Sequence, residues 1–272
     1  MYIPELKYHK PKTIDEAYRL LGTYNNSALL AGGTDLLVEI KQGVRNFDNI
    51  ISLNDINDLK IIEVKNDSII IGSCVTHNEI INSDIIKIHL PALTHAVSTI
   101  GTHQIRNTAS IGGNLCTCAS CADSAPIMMI YNAEMEIGSK VGSRTLKLSD
   151  FFMGHHVNAL KEGELLLRII VPKPKPNFGA HYEKFGLRES ASISVASVAV
   201  SVSIEDDIIK EANIVIGACA PTPMQIPTAM KKLVGIDINE LKKGSAQLNK
   251  VGDSAASEVK PIDDIRGSAD YR

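Results

Sequence analysis

Tryptophan is absent from this sequence, and aromatic residues make up only 4% of its 272 positions. The composition is otherwise that of an ordinary globular protein, long enough for one large domain or two to three smaller ones. An excess of basic residues is also missing, because 28 Lys and Arg stand against 31 Asp and Glu. A nucleic-acid-binding surface normally shows clustered Lys and Arg, so we predict no nucleic-acid partner.

The sequence has no apolar run long enough to span a bilayer, and the N-terminal residues Met1 to Glu5 do not form a signal peptide. We therefore expect a cytoplasmic protein with no membrane span. Its five cysteines are an odd number, and without an export signal we expect them to be reduced rather than paired.

Several well-known motifs are missing too. Neither G-x-G-x-x-G nor the Walker pattern occurs, which excludes the Rossmann and P-loop modes of phosphate binding. No H-E-x-x-H zinc motif and no G-x-S-x-G nucleophile elbow is found. His103, His155 and His156 have no metal-ligand spacing, and we predict them to be polar loop residues.

Two glycine-centred segments are present instead, at residues 29–35 (Leu-Leu-Ala-Gly-Gly-Thr-Asp) and 109–114 (Ala-Ser-Ile-Gly-Gly-Asn). Paired glycines let backbone N–H groups approach a ligand closely, and successive N–H groups form an anion-binding concavity. The two segments together predict a diphosphate cradle built from two loops. We expect Asp35 to cap the following helix and to point away from the ligand.

The pattern of the chain predicts an α+β protein. The first segment is a strand–helix–strand–helix pattern in which Thr13 and Glu16 form a capping box and Gly22 ends the helix. A hairpin is expected around residues 65–67 and a second antiparallel hairpin around residues 205–207. The run Pro172–Pro176 is a stiff connector and the clearest domain boundary.

Cysteines at positions 116, 118 and 121 could ligate zinc or part of an iron–sulfur cluster. A second Cys-x2-Cys pair is missing, and cysteine also serves as a small buried residue, which is the interpretation we favour. Asp123 follows closely and is either a helix N-cap or an acceptor for a ligand.

Six stretches of the chain, in collinear order, resemble the FAD-binding medium subunit of molybdenum hydroxylases of the xanthine, nicotinate and aerobic carbon monoxide dehydrogenase type. They are residues 30–36, 104–114, 122–126, 182–188, 217–223 and 264–272. The resemblance implies a two-subdomain FAD-binding fold of the PCMH/vanillyl-alcohol-oxidase type, followed by a smaller α+β C-terminal domain. The expected boundaries are residues 1–56, 57–174 and 175–272.

The resemblance also implies FAD as the cofactor and a set of residues that would bind it. These are Leu29, Leu30, Ala31, Gly32, Gly33, Thr34, Asp35, Leu36, Gly101, Ser110, Ile111, Gly112, Gly113, Asn114, Asp123, Leu166 and Lys184. Residues 29–36 and 110–114 would hold the pyrophosphate, and Asp123 would contact the flavin–ribityl region. Lys184 would suit the stabilisation of negative charge on a reduced flavin. Neither a catalytic acid or base nor a metal ligand is expected.

The implied role is electron transfer between partners: a [2Fe-2S] small subunit, a molybdopterin large subunit, and NAD+ or another acceptor. Two alternatives are a stand-alone flavin-dependent reductase and a non-enzymatic metal or iron–sulfur scaffold that uses Cys116, Cys118 and Cys121. The family usually has Ala or Pro where this chain has Cys118, Ser120 and Cys121, and its members usually continue into a final helix beyond position 272.

Overall fold

The computed structural model describes residues 3–272; Met1 and Tyr2, which begin the expected first subdomain and the N-terminal peptide considered above, lie outside the described residues. The first part of the chain contains β1 (Lys7–His9), α1 (Ile14–Thr23), β2 (Ser27–Leu30), α2 (Leu36–Lys41) and β3 (Asn49–Ser52). The strand–helix–strand–helix prediction is confirmed. Thr13 caps α1 by accepting from the Glu16 N–H at 3.1 Å, whereas Gly22 lies inside the helix, which ends one residue later.

The three strands of this part form a parallel sheet in the order β1-β3-β2. Its apolar residues, among them Ala28, Leu30 and Ile50, pack against Ile40 of α2. The first glycine segment leaves this sheet at the carboxyl end of β2, which is where ligands bind in open α/β sheets.

The second part of the chain is larger. It contains β4 (Ile62–Lys65), β5 (Ser68–Gly72), α3 (His77–Asn82), α4 (Asp84–His89), α5 (Pro91–Ser98), α6 (His103–Thr108), α7 (Ile111–Cys116), α8 (Ser124–Ile130), β6 (Glu134–Ser139), β7 (Gly142–Lys147), α9 (Leu148–Phe151), β8 (Phe152–Gly154), β9 (Val157–Asn158) and β10 (Leu165–Pro172). Asn66 and Asp67 turn the β4–β5 hairpin with φ values of 48° and 58°, which two-residue hairpins require. The predicted hairpin is therefore confirmed.

This part has a five-stranded antiparallel sheet in the order β4-β5-β10-β6-β7. Helices of this part share its core, which contains Ile69, Val97, Ile127 and Ile169. A capping box of Thr76 and Glu79 begins α3. The two residues are joined by hydrogen bonds of 2.7 and 3.2 Å. These bonds fix the start of α3, close to the second glycine segment.

The C-terminal part contains β11 (Phe178–Gly186), β12 (Ser194–Glu205), β13 (Ile208–Gly217), β14 (Met224–Gln225), α10 (Pro227–Leu233) and α11 (Ala246–Glu258). Its strands form an antiparallel sheet in the order β11-β12-β13-β14, so the predicted second hairpin is confirmed. Helix α8 is buried along all seven residues, and Tyr182, Ala199 and Val215 of the C-terminal sheet share its core. Helix α8 therefore packs against the C-terminal sheet.

Candidate functional site

A large cleft of about 1300 Å³ runs between the first and second parts of the chain. All of residues 29–36 line it on one side. Ser110, Gly112, Gly113 and Asn114 line it on the other, with Leu166 nearby. The two segments meet closely, since a Cβ atom added to Gly113 would lie 4.0 Å from the Cβ of Ala31. The tertiary structure thus brings together two segments that are about eighty residues apart in the sequence.

Glycine is required twice in the first segment. A Cβ atom on Gly32 would lie 2.0 Å from the Thr108 carbonyl oxygen, so only glycine lets this turn contact the end of α6. Gly33 has a φ of +72°, in the left-handed region that favours glycine. Within residues 3–272, the backbone N–H groups of positions 32–36 donate to no other group of the chain. Five consecutive donors next to a cleft are suited to an anion.

The second segment is not the loop that we expected, because Gly112 and Gly113 lie in the first turn of helix α7. Its N–H groups are already paired: Ile111 donates to Val75 O at 2.9 Å and Gly112 to Ser73 O at 3.0 Å. Gly113 donates to the Ser110 Oγ atom at 3.1 Å, and Asn114 to Ser110 O at 3.0 Å. A Cβ on Gly112 would lie 2.4 Å from Ser73 O, so this glycine serves close backbone packing.

The expectation for Asp35 is wrong in one respect. It occupies the N-cap position of α2, but its side chain makes no capping hydrogen bond, and the residue lines the large cleft. Burial and the neighbouring Glu39 carboxylate raise the pKa of Asp35, while His156 lowers it. His156 also lines the cleft and donates from Nδ1 to Thr117 O at 3.0 Å, so this histidine belongs to the cleft wall.

Two buried polar side chains lie at the cleft without partners in the described chain. The Ser73 hydroxyl and both ring nitrogens of His77 make no hydrogen bond, although both residues line the large cleft. Burial, together with the Arg106 guanidinium, lowers the pKa of His77 to about 4, so the ring is neutral near pH 7. Buried polar atoms normally have partners.

A smaller cleft of about 310 Å³ continues from the large one and shares Ile100, Ile105 and Asn114 with it. Gly101, with a φ of +51°, and Asp123 line this smaller cleft. Residues 191–193 of the β11–β12 loop form its other wall. The two clefts together form an elongated site whose far end lies between the second part and the C-terminal part.

Asp123 occupies the N-cap position of α8, but its side chain makes no capping hydrogen bond. Its carboxylate is 6% exposed and accepts hydrogen bonds from the Tyr182 hydroxyl at 2.8 Å, the Lys184 ammonium at 2.7 Å and the Ser194 hydroxyl. The Lys184 ammonium also donates to Thr99 O at 3.0 Å. Burial and the Asp123 carboxylate raise the pKa of Tyr182, which therefore stays a neutral donor.

The remaining predicted residues lie in different places. Leu166 lines the large cleft, whereas the Ile111 side chain is fully buried in the core behind it. Lys184 lines neither cleft and reaches the site only through Asp123. Sequence reasoning missed Ser73, His77 and Ser194. None of these has a local motif, because their significance comes only from burial next to the clefts.

The cysteines do not form a metal centre in the described part of the chain. No group of three His, Cys, Asp or Glu side chains that could hold a metal ion occurs in residues 3–272. Burial raises the pKa of Cys116 and Cys118 to about 12, so both stay thiols near neutral pH. All five cysteines are free.

The helices of residues 3–272 are too short or too polar for any of them to cross a bilayer.

Two known families match the chain, one over the first and second parts together and one over the C-terminal part. Residues 4–174 match the family described as the FAD binding domain in molybdopterin dehydrogenase, and residues 180–272 match the CO dehydrogenase flavoprotein C-terminal domain. The class of protein that the fold and the clefts define is thus a flavoprotein oxidoreductase with FAD as its cofactor.

Individual relatives agree over nearly the whole chain. The xanthine dehydrogenase FAD-binding subunit of Escherichia coli O157:H7 is 32% identical over 97% of this chain and 90% of its own length. The carbon monoxide dehydrogenase medium chain of Hydrogenophaga pseudoflava is 30% identical over 100% of this chain and 93% of its own length. The crystal structure of a Cu,Mo-CO dehydrogenase superposes with a TM-score of 0.93 at 30% identity, covering 100% of this chain and 93% of that one. This chain belongs to the family of FAD-binding medium subunits of molybdenum hydroxylases.

Proposed function

We propose that this chain holds FAD along the two connected clefts and relays electrons from an iron–sulfur subunit to NAD+ or another acceptor. The observation that carries the proposal is the continuity of the clefts, which begin at five unpaired backbone N–H groups and end at Asp123. Names of the relatives support the partners, since these are FAD subunits or medium chains of larger enzymes. A molybdopterin subunit would oxidise the substrate.

Each part of the site would do a different task. Residues 29–36 would bind the diphosphate through their free N–H groups. Ser110, Gly112, Gly113 and Asn114 would form the opposite wall, with the buried, neutral His77 ring and the Ser73 hydroxyl beside it. Gly101, Asn114 and Asp123 would surround the flavin end, and Leu166 would contribute an apolar contact. Lys184 would add positive charge from behind Asp123.

When bound, FAD supplies the exchange between one-electron and two-electron transfer, and the protein supplies position, charge and exclusion of water. No side chain of the site has to transfer a proton to a substrate. The buried thiols at 74 and 116 line the large cleft, and their raised pKa values keep them neutral near the diphosphate. We place the protein in the cytoplasm, where five free cysteines remain reduced.

The test begins with the purified chain. We expect it to bind FAD and to show the flavin absorbance doublet, whereas a colourless chain that takes up no FAD would overturn the proposal. Co-expression with candidate iron–sulfur and molybdopterin subunits should then give a complex in which substrate reduces the flavin. If NAD(P)H and a small substrate sustain turnover by this chain alone, the relay role is wrong and a stand-alone reductase is correct.

A further inference from the structure

We propose that the C-terminal segment of residues 264–272 is a clamp that positions Asp123 at the flavin end of the cleft. In this proposal Asp264, Arg266 and Arg272 are positioning residues that influence the bound cofactor without touching it. The inference rests on the proposed function, because it assumes that the smaller cleft receives the flavin.

The first step is the set of donors around Asp123. Tyr182, Lys184 and Ser194 all belong to strands β11 and β12 of the C-terminal sheet, and all three donate to the Asp123 carboxylate. Asp123 itself belongs to the second part of the chain and lies just before α8. The direction of this carboxylate in the smaller cleft is therefore set by the C-terminal part of the chain.

Arg266 connects these donors to the segment of residues 264–272. Arg266 donates from Nη1 to Ser194 O at 3.0 Å, so it fixes the residue whose hydroxyl binds Asp123. The same guanidinium donates from Nε and Nη2 to Asp264 Oδ2 at 3.0 and 2.6 Å. Such a planar fork holds its partners in one orientation, which a lysine cannot do.

Arg272 provides a second connection between residues 264–272 and the segment before α8. Its side chain is only 1% exposed, donates to Asp264 Oδ1, and donates from Nη1 to Ala218 O at 3.1 Å. Ala218 N–H in turn donates to Ser120 O at 2.8 Å. The two arginines thus reach the segment before α8 at two points, Ser120 through Ala218 and Asp123 through Ser194.

The residues that this arrangement holds line the smaller cleft or adjoin it, so their positions matter for more than stability. Cys121 and Asp123 line one wall of the smaller cleft, and Ile193, next to Ser194, lines the other. Loss of the Arg266 side chain would leave the Ser194 carbonyl without this donor and would leave Arg272 as the remaining side-chain partner of the Asp264 carboxylate. Asp123 would then lose a fixed neighbour, and the charge that it presents to the flavin end would move.

The experiment uses the full chain loaded with FAD and compares Arg266→Gln with Arg19→Gln, the same change at an exposed position of α1. We expect Arg266→Gln to weaken FAD binding about tenfold, as for one lost charge-assisted hydrogen bond, and to shift the flavin absorbance maximum and midpoint potential. Arg266→Lys should recover only part of the affinity, since it cannot hold Ser194 and Asp264 together. Arg19→Gln should match the wild type in all three measurements.

Some results would overturn the clamp. If Arg266→Gln lowers the melting temperature but leaves FAD affinity, spectrum and potential at the values of Arg19→Gln, the segment is merely structural. Should Arg266→Gln fail to fold, Ser194→Ala decides, because it removes only the hydroxyl that binds Asp123; unchanged FAD affinity and spectrum in that variant refute the proposal. A wild-type chain that binds no FAD refutes the proposed function and the clamp together, whereas unaffected variants of a yellow wild type refute the clamp alone.

Discussion

The two glycine segments look alike in sequence but differ in what their backbones offer to a ligand. The first, at the end of β2, leaves the N–H groups of positions 32–36 without partners in the described chain. The second begins a helix, and the N–H groups of positions 111–114 all have acceptors. In the first segment glycine frees donors for an anion, while in the second it allows α7 to pack against the backbone of Ser73. A Gly-Gly pair therefore indicates that the backbone comes close to another group. Whether that group is a ligand or another part of the chain depends on which N–H groups already have acceptors.

The comparison predicts its largest effect at Gly32. Gly32→Ala places a methyl group 2.0 Å from Thr108 O, against backbone that cannot rotate away. We expect the free energy of unfolding to fall by about 4 kcal/mol or more, and FAD binding to be lost as the two segments separate. Urea unfolding and FAD titration measure both.

A matched control for that change is Gly22→Ala in α1, where an added Cβ meets nothing within 4 Å. Alanine is the better helix former, so this variant should be more stable by up to about 1 kcal/mol. A Gly32→Ala protein as stable as Gly22→Ala would show that the close approach of the two segments is not required.

Gly113→Ala should affect the cofactor rather than the fold. Its new methyl group would lie 3.0 Å from Ser110 Oγ and 4.0 Å from the Cβ of Ala31, in the gap between the two segments. We expect FAD affinity to fall about tenfold or more, while the stability of the apo chain changes by less than about 1 kcal/mol. Isothermal titration with FAD and apo-protein unfolding separate the two effects.

For this variant the control is Gly179→Ala on β11, where an added Cβ reaches only Val202 at 4.0 Å. It should leave FAD binding unchanged. If Gly113→Ala binds FAD as tightly as Gly179→Ala does, the second segment does not form the wall of the cofactor site.

The smallest effect is expected at Asp35, which lies among the free N–H donors of the first segment. Burial raises the pKa of its carboxyl, and a neighbouring diphosphate would disfavour the charged form further. The carboxylate gains its charge as the pH rises through this pKa, so repulsion should weaken FAD binding with increasing pH. Asp35→Asn should abolish this dependence and bind FAD about fivefold more tightly near neutral pH, corresponding to roughly 1 kcal/mol.

The measurement is the dissociation constant of FAD as a function of pH, from acidic to neutral solution. Asp253→Asn on the exposed face of α11 is the matched control and should follow the wild type. A wild-type dissociation constant that improves with increasing pH, or that is flat like Asp35→Asn, contradicts the assigned position of the charge.

Much of the fold could be predicted because its signals are local. The caps at Thr13 and Thr76, the turn at Asn66 and the alternation along β12 each depend on neighbours a few residues away. The sequence predicts a loop at the second glycine segment because paired glycines allow sharp turns. The segment is helical instead, because Ser110 caps the helix locally and Gly112 packs against the distant Ser73.

The site was predictable where residues sit in the glycine segments and less so elsewhere. The cofactor contact of Asp123 stays a prediction, and its partners Tyr182, Lys184 and Ser194 come from strands about sixty to seventy residues later. Nothing in the local sequence marks Ser194 or His77. Their roles depend on which side chains are buried together, a property of packing and not of spacing.

By itself the sequence determined the α+β pattern, the two glycine segments and, through collinear motifs, the family and its cofactor. Local hydrogen bonding and hydrophobic periodicity act over a few residues, so they can be read along the chain. Only the tertiary structure decided which glycine segment keeps its N–H groups free and that the Asp123 carboxylate is held by strands of the C-terminal part. Those outcomes depend on whether a polar group finds a partner after burial, and each partner is supplied by a distant part of the chain.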